Sequence, residues 1–391
     1  MKKNLLLLAV IAIGTCLSFA ACSDSDDNSG GSEEAANIDI TNENLQKWAA
    51  YMNIVAQKLL ADSKTLLGDW SESYNGGDSY ADIFKKHNGT SGFNSSIDCI
   101  GQIIDGCADI ANEVGSAKIG DPYDLYLAGK TTEALYAVES WYSWHSIDDY
   151  SNNILSIRNA YYGTRGTSPA DNSIRQFTAV RNEVLAGKVD AAITKAYNAI
   201  QAIPAPLRNN IVCRQTEDAM AACAELEEVL SKELKPFFTG MTVDEDDEPE
   251  LQAIVEGYVD NVVLPTYTDL VAGNDALLKA VQAFQSTPTN AALEACAAAW
   301  IAARQPWETS EAFLFGPVAD KGLDPNMDSW PLDQDGIVKI MNSGNYSALD
   351  WTGEYDEESG AIADAQSLRG YHTLEFLIFK DGKARTITAA Q

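Results

Sequence analysis

The sequence predicts an all-α protein built from two antiparallel four-helix bundles. Three observations predict it. Apolar residues recur at steps of three and four along most of the chain. Alternating strand patterns are almost absent. Prolines, glycines and short charged runs cut the helical text into segments of bundle length. The 391 residues allow two domains, and 46% hydrophobic against 21% charged residues excludes general disorder.

Lys2 and Lys3 precede an apolar run from Leu5 to Ala21, which reads as a secretory signal rather than a comfortable membrane span. Phe19-Ala20-Ala21-Cys22 is similar to a lipobox. That implies removal of residues 1–21 and acylation of Cys22, hence an outer-membrane lipoprotein on the periplasmic face or the cell surface. Residues 22–38 read as a flexible acidic linker.

Leu45, Trp48, Met52, Val55, Leu59 and Leu66 mark an amphipathic helix that should stop at Gly68. Ile97 to Val114 reads as a second helix. Thr131 can cap a third, running through Val138 and Tyr142 towards Ile157. Ile174 to Ile203 follows with a break near Gly187, and then Ile211 to Leu234. The charge-dense run Thr242 to Pro249 divides a first bundle, 39–241, from a second, 242–391. The second opens with Leu251 to Phe284, divided at Pro265 and Gly273. Thr287 and Pro288 should start the next helix, which Pro306 interrupts before Phe315. Residues 318–365 are loop-rich with one short helix near Ile337, and a final helix carries Tyr371 to Phe379.

A formal charge of −30 repels nucleic acid and suits solubility or the attraction of cations. Beyond Cys16 and Cys22, the cysteines lack CxxC spacing, which excludes a zinc ribbon and a disulfide framework. No GxSxG, Walker loop or HExxH is present. Three constellations remain. His372 and Glu375 share a helix face, either as half of a metal site or as a hydrogen-bonded brace. Arg304, Glu308 and Glu311 follow one another among Trp300, Trp307 and Phe313, as an intrahelical ion pair or as part of a site. Glu139, Ser143, Ser146, Asp149, Tyr150 and Asn153 fall on one stripe if a single helix carries them.

Gly370-Tyr371-His372-Thr373-Leu374-Glu375 resembles the GxHxxE signature of the imelysin-like proteins. Leu264-Pro265-Thr266-Tyr267, Trp300, Arg304 and the segment from Ser310 to Pro317 are similar to family text. So is Glu139-Ser140-Trp141-Tyr142-Ser143 with Asp149 and Asn153. The two halves stand in reversed order, so the chain resembles a circular permutation of that family. The resemblance implies paired four-helix bundles, an envelope location, a role in iron uptake and a site between the bundles. The expected metal ligands are His372, Glu375, Glu311 and Glu139. Gly370, Arg304, Trp307, Ser310, Ser143, Asp149 and Asn153 are the expected ligand contacts. Imidazole with carboxylate suits iron or zinc. The expected partners are the membrane, through the lipid anchor, a metal ion or metal-bearing ligand, and an iron-uptake transporter. Nucleic acid is not among them. The expectation is a binding protein rather than an enzyme. A zinc-dependent surface metallopeptidase and a metal-free module for a macromolecular partner are the alternatives.

Overall fold

A computed structural model describes residues 35, 37–87 and 92–388. The lipobox, Cys22 and most of the linker lie outside the described residues. Eight helices carry the architecture: α1 (Leu45–Ser71), α2 (Ser96–Glu113), α3 (Ser146–Tyr162), α4 (Ile174–Gln201), α5 (Arg214–Val229), α6 (Leu264–Ser286), α7 (Asn290–Glu308) and α8 (Gly370–Ile378). Each buries an apolar stripe against its neighbours, as bundle helices must. In one bundle α2, α3, α4 and α5 close a ring of packed neighbours. In the other α1, α6, α7 and α8 do the same.

This partition corrects the expected boundary. The helix α1 precedes the first bundle in sequence but packs on α6 and α8 of the second. Trp48 fixes it there: its indole is fully buried and donates to the Leu377 carbonyl at 2.9 Å. The acidic run remains an exposed connection, with Thr242 to Asp246 on the surface. The helix that follows starts at Asp247 and continues through a π turn at Val259–Val263 into α6.

Several predicted breaks fall elsewhere, each for a local reason. The Gly68 carbonyl accepts from Glu72 and Ser73, so α1 runs on to Ser71. The kink in α4 is at Asn182 (φ −155°, ψ 80°), whose side chain caps the restarted helix by accepting from Leu185 N at 3.1 Å. Thr289, not Thr287, caps α7, accepting from Ala292 N at 3.1 Å. Pro306 lies inside α7 without ending it. Gly273 does not divide α6; a Cβ there would stand 2.9 Å from Ala303 Cα, so glycine lets α6 press against α7. Residues 318–365 hold more helix than expected, with short segments at Leu323–Asp328, Gln334–Ser343 and Gly360–Gln366.

Ile40–Thr41 and Ile387–Thr388 pair as two short parallel strands, so the two ends of the fold lie side by side. That adjacency is the geometry a permuted chain order requires. No helix among the described residues is long and apolar enough to cross a membrane.

The bundles meet where α2 and α3 pack on the turn Glu311–Phe313 that follows α7. Gly106 of α2 makes this possible: a Cβ there would lie 2.2 Å from the Ala312 carbonyl oxygen. Gly106→Ala should therefore cost about 1–3 kcal/mol through overpacking. Chemical denaturation of the variant beside wild type measures it; an unchanged midpoint would show that the turn yields freely.

Candidate functional site

The expected third helix breaks where the site begins. After Thr131–Ala137 the chain leaves helical geometry at Val138 and does not regain it until Ser146. Ser140 (φ 54°) and Trp144 (φ 65°) adopt left-handed conformations within this stretch. Such residues persist only where their surroundings fix them. Glu375 fixes this one. Its Oε1 accepts from Tyr142 N at 2.9 Å, Ser143 N at 2.7 Å and Ser143 Oγ at 2.8 Å. Its Oε2 lies 3.0 Å from His372 Nδ1. Glu375 is thus a clamp on the loop and an orienting partner for the imidazole. With both oxygens engaged, it does not face an ion, which corrects its place among the expected ligands.

His372 Nε2 points the other way, 3.2 Å from Glu139 Oε1 and 3.1 Å from Asp328 Oδ1. Glycine at 370 permits this: φ is +87°, and a Cβ would stand 2.4 Å from the Met327 carbonyl oxygen. The close approach of α8 to residues 326–327 carries Asp328 to the imidazole. Gly370 therefore shapes the site through its backbone. Trp307 donates to Asp328 Oδ2 at 2.6 Å and holds it from the second side. The Trp330 ring lies edge-on to the imidazole, centroids 4.7 Å apart.

Arg304 occupies the middle. Its guanidinium donates to Asp328 through Nη1 and to Glu139 Oε1 through Nη2 at 3.2 Å. The predicted intrahelical pair is present and buried, with Nη2 2.5 Å from Glu308 Oε1. That contact is an ion pair without an aligned hydrogen bond, and Arg304 Nε likewise makes no hydrogen bond. Asp149 lies 3.5 Å from Nε and accepts from Ser140. Asn153 donates to Glu308 Oε2 at 2.6 Å. Lys118 reaches Glu139 Oε2 at 3.0 Å. Ser310 turns back to the Trp307 carbonyl at 2.6 Å and closes the end of α7 rather than facing the site. Glu311 belongs to a second group with Glu308 and Asp328, whose carboxylate oxygens lie within 4.8 Å of one another. Glu139, Asp328 and His372 form the first such group.

Asp328 and Lys118 are absent from the sequence-derived site. Asp328 sits in text that reads as loop. Lys118 carried a faint signal, being the single Lys or Arg between residues 87 and 129.

The electrostatics follow from burial and from an excess of acid. Burial and Arg304 lower the His372 pKa, but Asp328 and Glu139 outweigh them and hold the imidazole protonated well above its usual range. Burial alone would raise Glu139, yet Lys118 and His372 bring it down to about 2. Asp328 is likewise held low, against burial, by Arg304 and His372. Glu308 and Glu311 are pushed well above the carboxylate range by burial, which Arg304 and Lys118 only partly offset. Burial and Asp328 raise Asp324 to about 7.

This is a protein of paired four-helix bundles with a buried acid–imidazole–guanidinium centre between them. The chain belongs to the imelysin family: the family model described as Imelysin matches residues 26–235 and 263–391. The crystal structure of an imelysin peptidase from Bacteroides ovatus superposes with a TM-score of 0.86 at 52% identity, covering 90% of this chain and all of that one. Iron-regulated protein A of Synechococcus elongatus is 38% identical over 125 residues, which is 32% of this chain and 31% of that protein. The match thus spans about a third of that relative's length.

Two predictions follow from this geometry. Glu375→Ala should cost roughly 3–5 kcal/mol, because it orphans two loop amides and a buried imidazole, whereas Glu375→Gln keeps an acceptor and should cost less. Equal losses in urea titrations would remove the clamp role. The second concerns pH. Glu308, Glu311, Asp324 and His372 bind protons more tightly folded than unfolded. Their stabilisation is complete below the unfolded values and drains as pH rises through the folded ones. For Asp324 that loss runs from the aspartate range to about 7; for His372 it starts near about 6.5. Melting temperature without added metal should fall between about pH 5 and about pH 8, and Asp324→Asn should flatten the lower part of that slope. A rising melting temperature across this range would contradict the assignment.

Proposed function

We propose that the protein is a lipoprotein of the cell envelope, anchored through Cys22, that binds a metal ion or metal-bearing ligand between its two bundles as part of iron uptake. One observation carries this reading. Glu139, Asp149, Glu308, Glu311, Asp328 and Glu375 are six buried carboxylates, and only Arg304 and Lys118 are permanent cations among them. Protons on His372, Glu308 and Glu311 relieve part of this acid excess without removing it. Such an excess is relieved by protons or by a cation.

The residues fit a metal. Glu139, Asp328 and His372 offer an imidazole nitrogen and two carboxylates, a donor set that iron or zinc accepts. Glu308, with Glu311 and Asp328, forms a second group of carboxylates close by, though its Oε1 is held by Arg304. A bound ion would supply positive charge at the point where His372 now carries a proton. Glu375 orients the imidazole for ligation, Trp307 and Arg304 hold Asp328, and Lys118 holds Glu139. Arg304 balances the carboxylates when no ion is present. Support for iron in particular comes from the partial likeness to iron-regulated protein A. Hydrolysis of a polypeptide fits less well, because the first group is buried: the Asp328 side chain is 4% exposed and His372 is fully enclosed.

Calorimetric titration with ferrous, ferric and zinc ions tests the reading. Wild type should bind with release of a proton from His372. Asp328→Asn and His372→Ala should each weaken affinity by about ten- to a hundredfold. Unchanged affinity in both folded variants would remove the metal site and leave the cluster as a brace. Casein cleavage that a chelator abolishes would favour the peptidase reading instead.

A further inference from the structure

The side chains at the heart of the buried centre are closed to water: Arg304 is 1% exposed, and Glu308 and His372 are fully enclosed. Exposure rises in one direction from them. Glu139 is 7% exposed, and the Lys118 ammonium that meets its Oε2 at 3.0 Å is 10% exposed. The same ammonium pairs with Glu113, which is 51% exposed, at 3.6 Å from Oε1. Glu139, Lys118 and Glu113 therefore lead from the centre to solvent.

This file depends on a departure from regular helix. Glu113 closes α2, and Lys118 lies five residues on, in the π turn Val114–Gly120. On an α-helix, residues five apart point about 140° away from each other. The i→i+5 closure of a π turn brings them back towards one face. The backbone of the turn is fixed. Gly115 lets it press on α5, since a Cβ there would stand 2.8 Å from Cys223 Cβ. Tyr150 of α3 donates to the Lys118 carbonyl at 3.2 Å. What can swing is the side chain, an ammonium on a flexible four-carbon stem.

Charge decides how it swings. Burial lowers the Lys118 pKa, but Glu139, Glu311 and Glu113 outweigh it, so the group keeps its charge. An ammonium leaving Glu139 with no partner to meet it would be costly. Glu113 supplies that partner at a more exposed position. A cation arriving at Glu139 repels the ammonium and takes over its part of the charge balance. Resting on the metal reading above, we infer that Lys118 is the gate of the buried centre, its ammonium passing from Glu139 to Glu113 as a metal cation enters or leaves. The step exchanges ion pairs; no covalent bond changes and no proton moves.

The test is stopped-flow mixing of the whole protein with zinc ions, with dissociation started by excess chelator and affinity taken from calorimetry. Trp307 and Trp330 lie against Asp328 and His372, so tryptophan fluorescence reads the site. In Lys118→Met, association and dissociation should both quicken about tenfold or more, with a smaller change in affinity than in either rate. In Glu113→Gln, which removes the receiving carboxylate, both should slow about two- to fivefold. Faster association with slower dissociation in Lys118→Met would make the lysine a competing charge. Faster dissociation alone would make it a brace for Glu139. Either result overturns the gate, as do unchanged rates in both variants. A Trp330→Ala variant that quickens both rates while Lys118→Met does not would place the route beneath residues 329–331 and overturn it too. Thermal melts check folding; if Lys118→Met melts early, the rates of Glu113→Gln decide. Wild type that binds neither zinc nor iron removes the metal reading and the gate together, whereas binding at rates the folded variants share removes the gate alone.

Discussion

The buried guanidinium of Arg304 is the interaction on which the rest of the structure depends. It is 1% exposed and carries carboxylates from both bundles: Glu139 and Asp149 from one side, Glu308 on its own helix, and Asp328 from the segment beneath α8. A charge so far from water is tolerable only when its partners are in place. Those partners come from distant parts of the chain, so the ion network demands that both bundles be assembled together. Removing any one partner leaves its counterpart charged and enclosed, which makes the network a constraint on relative bundle placement as much as a source of stability.

The second constraint is the loop that carries Glu139. Helical continuation would have spread Glu139, Ser143 and Asp149 along one face. The left-handed turns at Ser140 and Trp144 instead fold the loop back, so that its amides meet Glu375 while Glu139 meets His372 and Arg304. The same carboxylate thus fixes the loop's backbone and the imidazole's orientation. This couples the shape of one bundle to the final helix of the other through a single side chain.

The helical class, most helix positions and the pairing of His372 with Glu375 were legible because they rest on local periodicity. The pairing of Arg304 with Glu308 was legible for the same reason. What escaped was tertiary. Nothing in the apolar stripe of residues 45–66 states which bundle it enters; Trp48 settles that only by meeting Leu377, more than three hundred residues away. Asp328 escaped because its role depends on Gly370 admitting a close backbone approach, and a glycine announces freedom without naming its neighbour. Glu375 has the right spacing for a ligand, and only the amides of a distant loop show that its oxygens are already engaged. The break at Val138 escaped because the preceding and following residues both favour helix, and the clamp that overrides them lies far off in sequence.

The parallel pairing of Ile40–Thr41 with Ile387–Thr388 has a mechanical consequence. Tension arriving along the chain from before Ile40 reaches this short seam first. The seam is tied onward by Asn290, which accepts from Ile387 N at 2.8 Å, and by Arg385, which donates to the Ile38 carbonyl at 2.8 Å and to the Phe376 carbonyl at 2.7 Å. Load therefore passes through these cross-links into α7 and α8, the helices that hold Arg304 and His372, and along the backbone into α1. All three helices belong to one bundle, so a pull on the leading segment is borne by that bundle, and the bundle of α2 to α5 lies off the direct path.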